Sequence, residues 1–156
     1  MHKRRLSLEV TNACNFNCLH CFNRPASPGD HASLDLGSAC RLVQEAYELG
    51  CRDVLLTGGE PLLWPHFCTF YEYLCSYDDV SVKLNTNASL VDCEIAELFA
   101  ARPPANIHVG LYGWDEASYA QITGNEQACS SVSKGVKLLA DASLRFYLFI
   151  PGIRSL

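Results

Sequence analysis

The chain has 156 residues, enough for one domain over 1–156, and a domain of that size hides roughly 70% of its unfolded surface. A net charge of −5 speaks against nucleic acid or an anionic membrane as partner, and the cluster His2-Lys3-Arg4-Arg5 is too short to argue otherwise. No apolar run approaches the ~20 residues of a membrane span, no basic-then-apolar leader opens the chain, and nine cysteines in so regularly patterned a sequence read as thiols of a reducing cytosol, not as a disulfide scaffold.

Leu6, Leu8 and Val10 alternate with Ser7 and Glu9, which predicts a strand ending at Thr11. A loop holding Cys14, Cys18 and Cys21 follows at once, and Pro25, Pro28 and Gly29 keep the next segment irregular. Leu36, Cys40, Val43 and Tyr47 then recur with helical spacing; Asp35 or Ser33 caps the start and Gly50 the end. Asp53 to Thr57 is a short apolar run, read as a strand buried on both faces, and Gly58-Gly59-Glu60-Pro61 breaks it. Pro65 suits the first turn of a second helix whose inner face is Phe67, Phe70, Tyr71 and Leu74. Val80, Val82 and Leu84 make a third strand, stopping near Asn85-Thr86-Asn87. Ile95, Leu98 and Phe99 mark a third helix that Pro103-Pro104 ends. Ile107, Val109 and Leu111 make a fourth strand, and two helical pieces, Asp115 to Ile122 and about Gln127 to Ala140, are divided by Gly124. Leu144 to Ile150 is a fifth strand, ended by Pro151-Gly152.

Strand and helix alternate strictly, so the fold class is α/β with a parallel sheet and right-handed crossovers. Ligands of such sheets sit beyond the carboxyl ends of the strands. The unusual stretches all fall there: the cysteine loop, Gly58 to Pro61, Asn85 to Asn87, and Tyr112-Gly113.

Three cysteines spaced C-x-x-x-C-x-x-C on one short loop can hold three irons of a cubane cluster and leave the fourth iron open for chemistry. The competing reading is a structural zinc site, which wants four closed ligands, usually in two pairs. No second C-x-x-C pair exists, and His20 adjoins Cys21, where the two side chains rarely reach one small tetrahedron. Cys40, Cys51, Cys68, Cys75, Cys93 and Cys129 are scattered and read as small buried apolar residues.

The cysteine loop together with Gly58-Gly59-Glu60-Pro61 resembles the radical S-adenosylmethionine (radical SAM) superfamily over about Leu6 to Ile150. Gly110-Leu111-Tyr112-Gly113 and Ile122-Thr123-Gly124 are similar to the branch that modifies peptides and often carries a SPASM extension. The resemblance implies a partial parallel (β/α) barrel, of which this chain offers about five strands and is incomplete at its C-terminus. It implies a [4Fe-4S] cluster on Cys14, Cys18 and Cys21, whose open iron is chelated by S-adenosylmethionine. Reductive cleavage of that ligand then gives a 5′-deoxyadenosyl radical for hydrogen abstraction. Gly58, Gly59, Glu60 and Pro61 are the implied seat of the methionine end, with backbone groups and the Glu60 carboxylate on its ammonium. His20 is placed near the adenine, where it either stacks or merely packs. Thr86-Asn87 matches a T-N-G turn with Ala88 in place of glycine; Asn87 or Asn85 either contacts the cofactor or caps the turn. Tyr112 is familiar in the peptide-modifying branch, while Gly110 stands where many relatives have a serine. Trp114 and Tyr119 read as packing residues and Arg24 as a solvated loop cation.

The implied partners are a peptide or protein substrate and an electron donor such as a flavodoxin or ferredoxin. Two rival readings are an iron–sulfur module without turnover and a zinc-stabilised domain. The apolar fifth strand, with only six residues after it, predicts a poor catalyst in isolation and an edge that associates.

Overall fold

The computed structural model describes residues 4–23 and 31–150; Arg24, Pro25, Pro28, Gly29, Pro151 and Gly152, on which expectations rested, lie outside the described residues. Strands β1 (Arg5–Glu9), β2 (Asp53–Thr57), β3 (Ser81–Thr86), β4 (Asn106–Gly110) and β5 (Phe146–Phe149) form one sheet in the order β1-β2-β3-β4-β5. Every pairing is parallel. Helices α1 (Leu36–Glu48), α2 (Phe67–Cys75), α3 (Cys93–Ala101), α4 (Glu116–Thr123) and α5 (Ala128–Asp141) supply the crossovers.

The helix-facing rows of the sheet are apolar and carry the core. Leu8, Val54, Leu56, Val82, Leu84, Ile107 and Val109 are buried among Val43, Phe70, Tyr71, Leu74, Phe99 and Leu139. Helices α1, α3 and α4 start where side chains take up orphan backbone N–H groups: Asp35 accepts from Ser38, Asp92 from Ile95, and Asp115 from Ser118 in a capping box. Of the two caps considered for α1, Asp35 is the one used.

The opposite face of the sheet is open and polar. It carries Arg5 and Glu9 on β1, Thr57 on β2, Lys83 and Asn85 on β3, and His108 on β4. In its lower layer Asp53 takes ion pairs from Lys83 at 2.6 Å and Arg5 at 3.4 Å. In its upper layer Glu9 is in register with Thr57, and His108 with Asn85 on one side and Tyr147 on the other.

Several expectations are corrected. Strand β2 is not buried on both faces: Leu55 and Thr57 are only half-buried, since among the described residues no helix covers that side. Pro65 precedes α2 instead of opening it; a 3-10 turn over Pro61–Leu63 comes first, and Trp64 anchors it through an indole N–H to the Leu34 carbonyl at 2.8 Å. Leu144 falls in the turn that closes α5, not in β5: its N–H and that of Ser143 bond back to Leu139 and Ala140, and its side chain is buried. The apolar edge expected at the fifth strand is exposed, in agreement with the sequence: among the described residues nothing covers Leu148 (48% exposed), Phe149 (65%) or, just after β5, Ile150 (73%). Of the scattered cysteines only Cys51 is buried; Cys40, Cys68, Cys75 and Cys129 are partly so, and Cys93 is exposed. Tyr119 is packed as expected, but Trp114 is 90% exposed.

Candidate functional site

The carboxyl ends of the strands meet at a hollow of about 790 Å³. Cys14, Cys18, Cys21 and His20 line it from the cysteine loop, Gly58 and Gly59 from the end of β2, Asn85 and Asn87 from β3, and Gly110 and Tyr112 from β4. Residues that sequence reasoning missed also line it: Glu9, Thr57, His108, Tyr147 and Phe22. The available signal was polar residues at alternate positions of otherwise apolar strands, on the face opposite the core.

The cysteine loop is held from two sides. On one, the Asn17 N–H donates to Thr123 at 2.7 Å and the Leu19 N–H to Ile122 at 2.9 Å, which explains the Ile122-Thr123-Gly124 stretch as a dock for the loop. On the other, the Gly59 N–H donates to Thr11 at 2.7 Å and the Glu60 N–H to Ala13 at 2.8 Å. A side chain at position 59 cannot coexist with this contact, because its Cβ would stand 2.2 Å from the Ala13 carbonyl oxygen. The close approach that the glycines permit is thus first of all to the loop's own backbone, and the Gly58 carbonyl also accepts from the Asn23 amide at 3.4 Å.

Glu60 departs from its expected direct role. Its side chain is fully buried and absent from the hollow's lining. One carboxylate oxygen accepts from the Leu62 N–H at 3.1 Å and the Thr86 hydroxyl at 2.8 Å, the other from the Asn87 N–H at 2.7 Å. Burial pushes its carboxyl up to about 7, against these hydrogen bonds. Glu60 therefore ties the turn after β2 to the turn after β3. Pro61 is buried and opens the 3-10 turn.

The turn after β3 keeps the left-handed geometry anticipated for a glycine: Ala88 sits at φ 61° and is fully buried. Gly110, where a serine was the alternative, makes room for Tyr112, since a Cβ there would stand 2.4 Å from the phenol oxygen. Tyr112 in turn packs against His20 with ring centroids 5.1 Å apart at 47°. Burial pushes the Tyr112 phenol up, helped by the neighbouring thiols of Cys18, Cys14 and Cys21. The His20 Nδ1 atom is buried without a hydrogen-bond partner.

The three cysteines fit a cluster. All three line one wall of the hollow. Burial pushes the Cys14 thiol up, and no Lys or Arg lines the hollow among the described residues, so thiolates there need a bound cation. Among the described residues no three His, Cys, Asp or Glu side chains are gathered closely enough to hold a single metal ion.

A family model described as the Radical SAM superfamily matches residues 8–156. The AdoMet-dependent heme synthase of Methanosarcina barkeri is 27% identical over 145 residues, 93% of this chain and 41% of that protein. A GTP 3′,8-cyclase of Actinobacillus pleuropneumoniae is 30% identical over 134 residues, 84% of this chain and 39% of its own length. The chain thus spans about two fifths of the length of these curated relatives. Among solved structures, Streptococcus suis SuiB bound to the precursor peptide SuiA shares the fold with a TM-score of 0.82 at 17% identity, over 98% of this chain and 34% of that one. Native anSMEcpe with bound AdoMet and a peptide shares it with a TM-score of 0.74 at 18% identity, over 93% of this chain and 43% of the other.

Proposed function

The chain belongs to the radical SAM superfamily, and on that premise we propose that Cys14, Cys18 and Cys21 hold a [4Fe-4S] cluster beside S-adenosylmethionine, for radical chemistry on a peptide or protein substrate. The observation that carries this reading is the convergence of the three thiols, Gly58, Gly59, His20, Asn87 and Tyr112 on one hollow. When bound, the two groups supply reductive cleavage of the sulfonium to methionine and a 5′-deoxyadenosyl radical.

The protein's own residues bind and orient. The carbonyls of Gly58 and Gly59 offer acceptors to the methionine ammonium; Glu60 acts from behind, by fixing the turn. His20 and Tyr112 form an aromatic wall for the adenine. Tyr112, His20 and Phe16 also narrow the approach of water to the cysteines.

Charge supports a peptide over a nucleotide at this wall. The described lining holds no Lys or Arg, and the two cations on the open face, Arg5 and Lys83, are held by Asp53. A triphosphate finds no paired cation here, whereas Glu9, Asn85, His108 and Tyr147 suit the amides and donors of a peptide. The fold likeness to two peptide-bound enzymes agrees with this.

The test is anaerobic reconstitution followed by iron and sulfide analysis, EPR with and without S-adenosylmethionine, and 5′-deoxyadenosine output under strong reductant. The expected result is one cluster per chain, an EPR change on adding the cofactor, and loss of both in a Cys14→Ala/Cys18→Ala/Cys21→Ala variant. An unchanged cluster in that variant refutes the assignment. A cluster without 5′-deoxyadenosine output favours a binding module lacking turnover.

A further inference from the structure

We propose that Asn87 is a positioning residue for the iron–sulfur centre: its side-chain amide donates an N–H toward Cys14 Sγ and raises the reduction potential of the cluster bound there. This rests on the reading of Cys14, Cys18 and Cys21 as cluster ligands.

The orientation of the amide is settled by chemistry. The Ser89 backbone N–H, which can only donate, points at one end of the Asn87 amide at 2.9 Å, so that end is the oxygen Oδ1. The Ser89 hydroxyl donates to the same oxygen at 2.6 Å. Nδ2 must then face the cysteine loop, where one N–H reaches Asn15 Oδ1 at 2.9 Å. Asn15 closes the ring by donating from its own amide to the Ser89 hydroxyl at 2.8 Å. Every polar atom of the ring is used, and one N–H of Asn87 remains. Its neighbour is Cys14 Sγ at 4.0 Å, the long end of an N–H···S contact.

The amide is also held rigidly. Asn87 is 7% exposed, and its backbone N–H donates to Glu60 at 2.7 Å. Glu60, through its own backbone N–H on Ala13, is joined to the base of the cysteine loop. The Phe16 N–H donates to the same sulfur at 3.4 Å from another direction. Hydrogen bonds to ligating sulfurs stabilise the extra negative charge of the reduced state, and outer-shell donors of this kind tune a metal centre. The N–H of Asn87 is therefore placed to favour reduction of the centre, and the hydrogen bonds that place it need neither S-adenosylmethionine nor substrate.

The test is the midpoint potential of the reconstituted 156-residue chain, followed by EPR without S-adenosylmethionine. Asn87→Ala should move the midpoint to more negative potential. Asn87→Asp keeps an acceptor for the Ser89 N–H but replaces the donor by a charged oxygen, and should move it further in the same direction. Ser89→Ala leaves the amide pinned by the backbone N–H and should leave the potential where it was. That order supports the proposal, and Asn87→Asp preserves the test if Asn87→Ala fails to load iron. Equal potentials in the original chain and Asn87→Asp overturn it. So does a shift that appears only after S-adenosylmethionine is added, which would assign the amide to that ligand. If the original chain binds no cluster, the ligand assignment itself falls, and iron analysis shows this separately from any potential.

Discussion

Glu60 shows how one side chain can be placed correctly in a motif and still act from the unexpected side. Its carboxylate joins Leu62, Thr86 and Asn87 inside the protein, away from the hollow. Burial raises its folded-state pKa from 4.5 to about 7, so the native chain holds a proton that the unfolded chain has released. The resulting stability is fully present below about pH 4.5 and is lost as pH rises toward 7. Urea midpoints of the original chain relative to Glu60→Gln should therefore fall across that window; parallel curves would show that Glu60 is ionised throughout. Glu60→Gln should also leave affinity for S-adenosylmethionine far less changed than the about 1.5–3 kcal/mol of a lost charged hydrogen bond, as titration of the reconstituted chain would reveal. What was legible here was the turn and its neighbours. The direction of the side chain was not, because it depends on Thr86 and Asn87, some 26 and 27 residues away, presenting donors behind the turn.

At the scale of elements, caps and periodicity carried most of the fold. Asp92 accepts from the Ile95 N–H at 2.9 Å and opens α3, which buries Ile95, Ala96 and Phe99 against the core. Asp92→Ala should cost about 1 kcal/mol and lower the thermal midpoint by about 2–4 °C, read by circular dichroism; no change would mean that packing alone sets that helix end. The strands were legible because one face of each alternates into the core: Leu8, Val82, Leu84, Ile107 and Val109 recur at every second position. Strand β2 misled because Leu55, on the open face, is as apolar as its buried neighbours. The start of β5 misled because Leu144 continues the apolar run while its N–H still serves the helix before it. The Pro61–Leu63 turn had no sequence signal apart from its proline, and it displaced Pro65 from the helix start.

At the scale of the whole molecule, the two edges of the sheet are unlike. The outer edge of β1 carries Arg5 and Glu9, charges that deter pairing with another strand. Strand β5 reads Phe146-Tyr147-Leu148-Phe149, with Ile150 next, and pairs only with β4 among the described residues. Tyr147, Leu148, Phe149 and Ile150 are all exposed, between 48% and 73%. A run of four exposed apolar residues on and just after an edge strand, whose outer side is unpaired among the described residues, combines a hydrogen-bonding template with surface that gains by leaving water. The 156-residue chain should therefore self-associate through β5, and its weight-average mass by sedimentation velocity should rise with concentration. Leu148→Lys together with Phe149→Lys should remove that rise and leave the far-ultraviolet circular dichroism unchanged, since neither side chain belongs to the buried core. Lysines at these positions act by charge on the strand itself, so a mass that still rises would place the association on another surface. A chain that is monomeric at every concentration before any substitution would show that the exposed strand is tolerated, and the edge argument would fail.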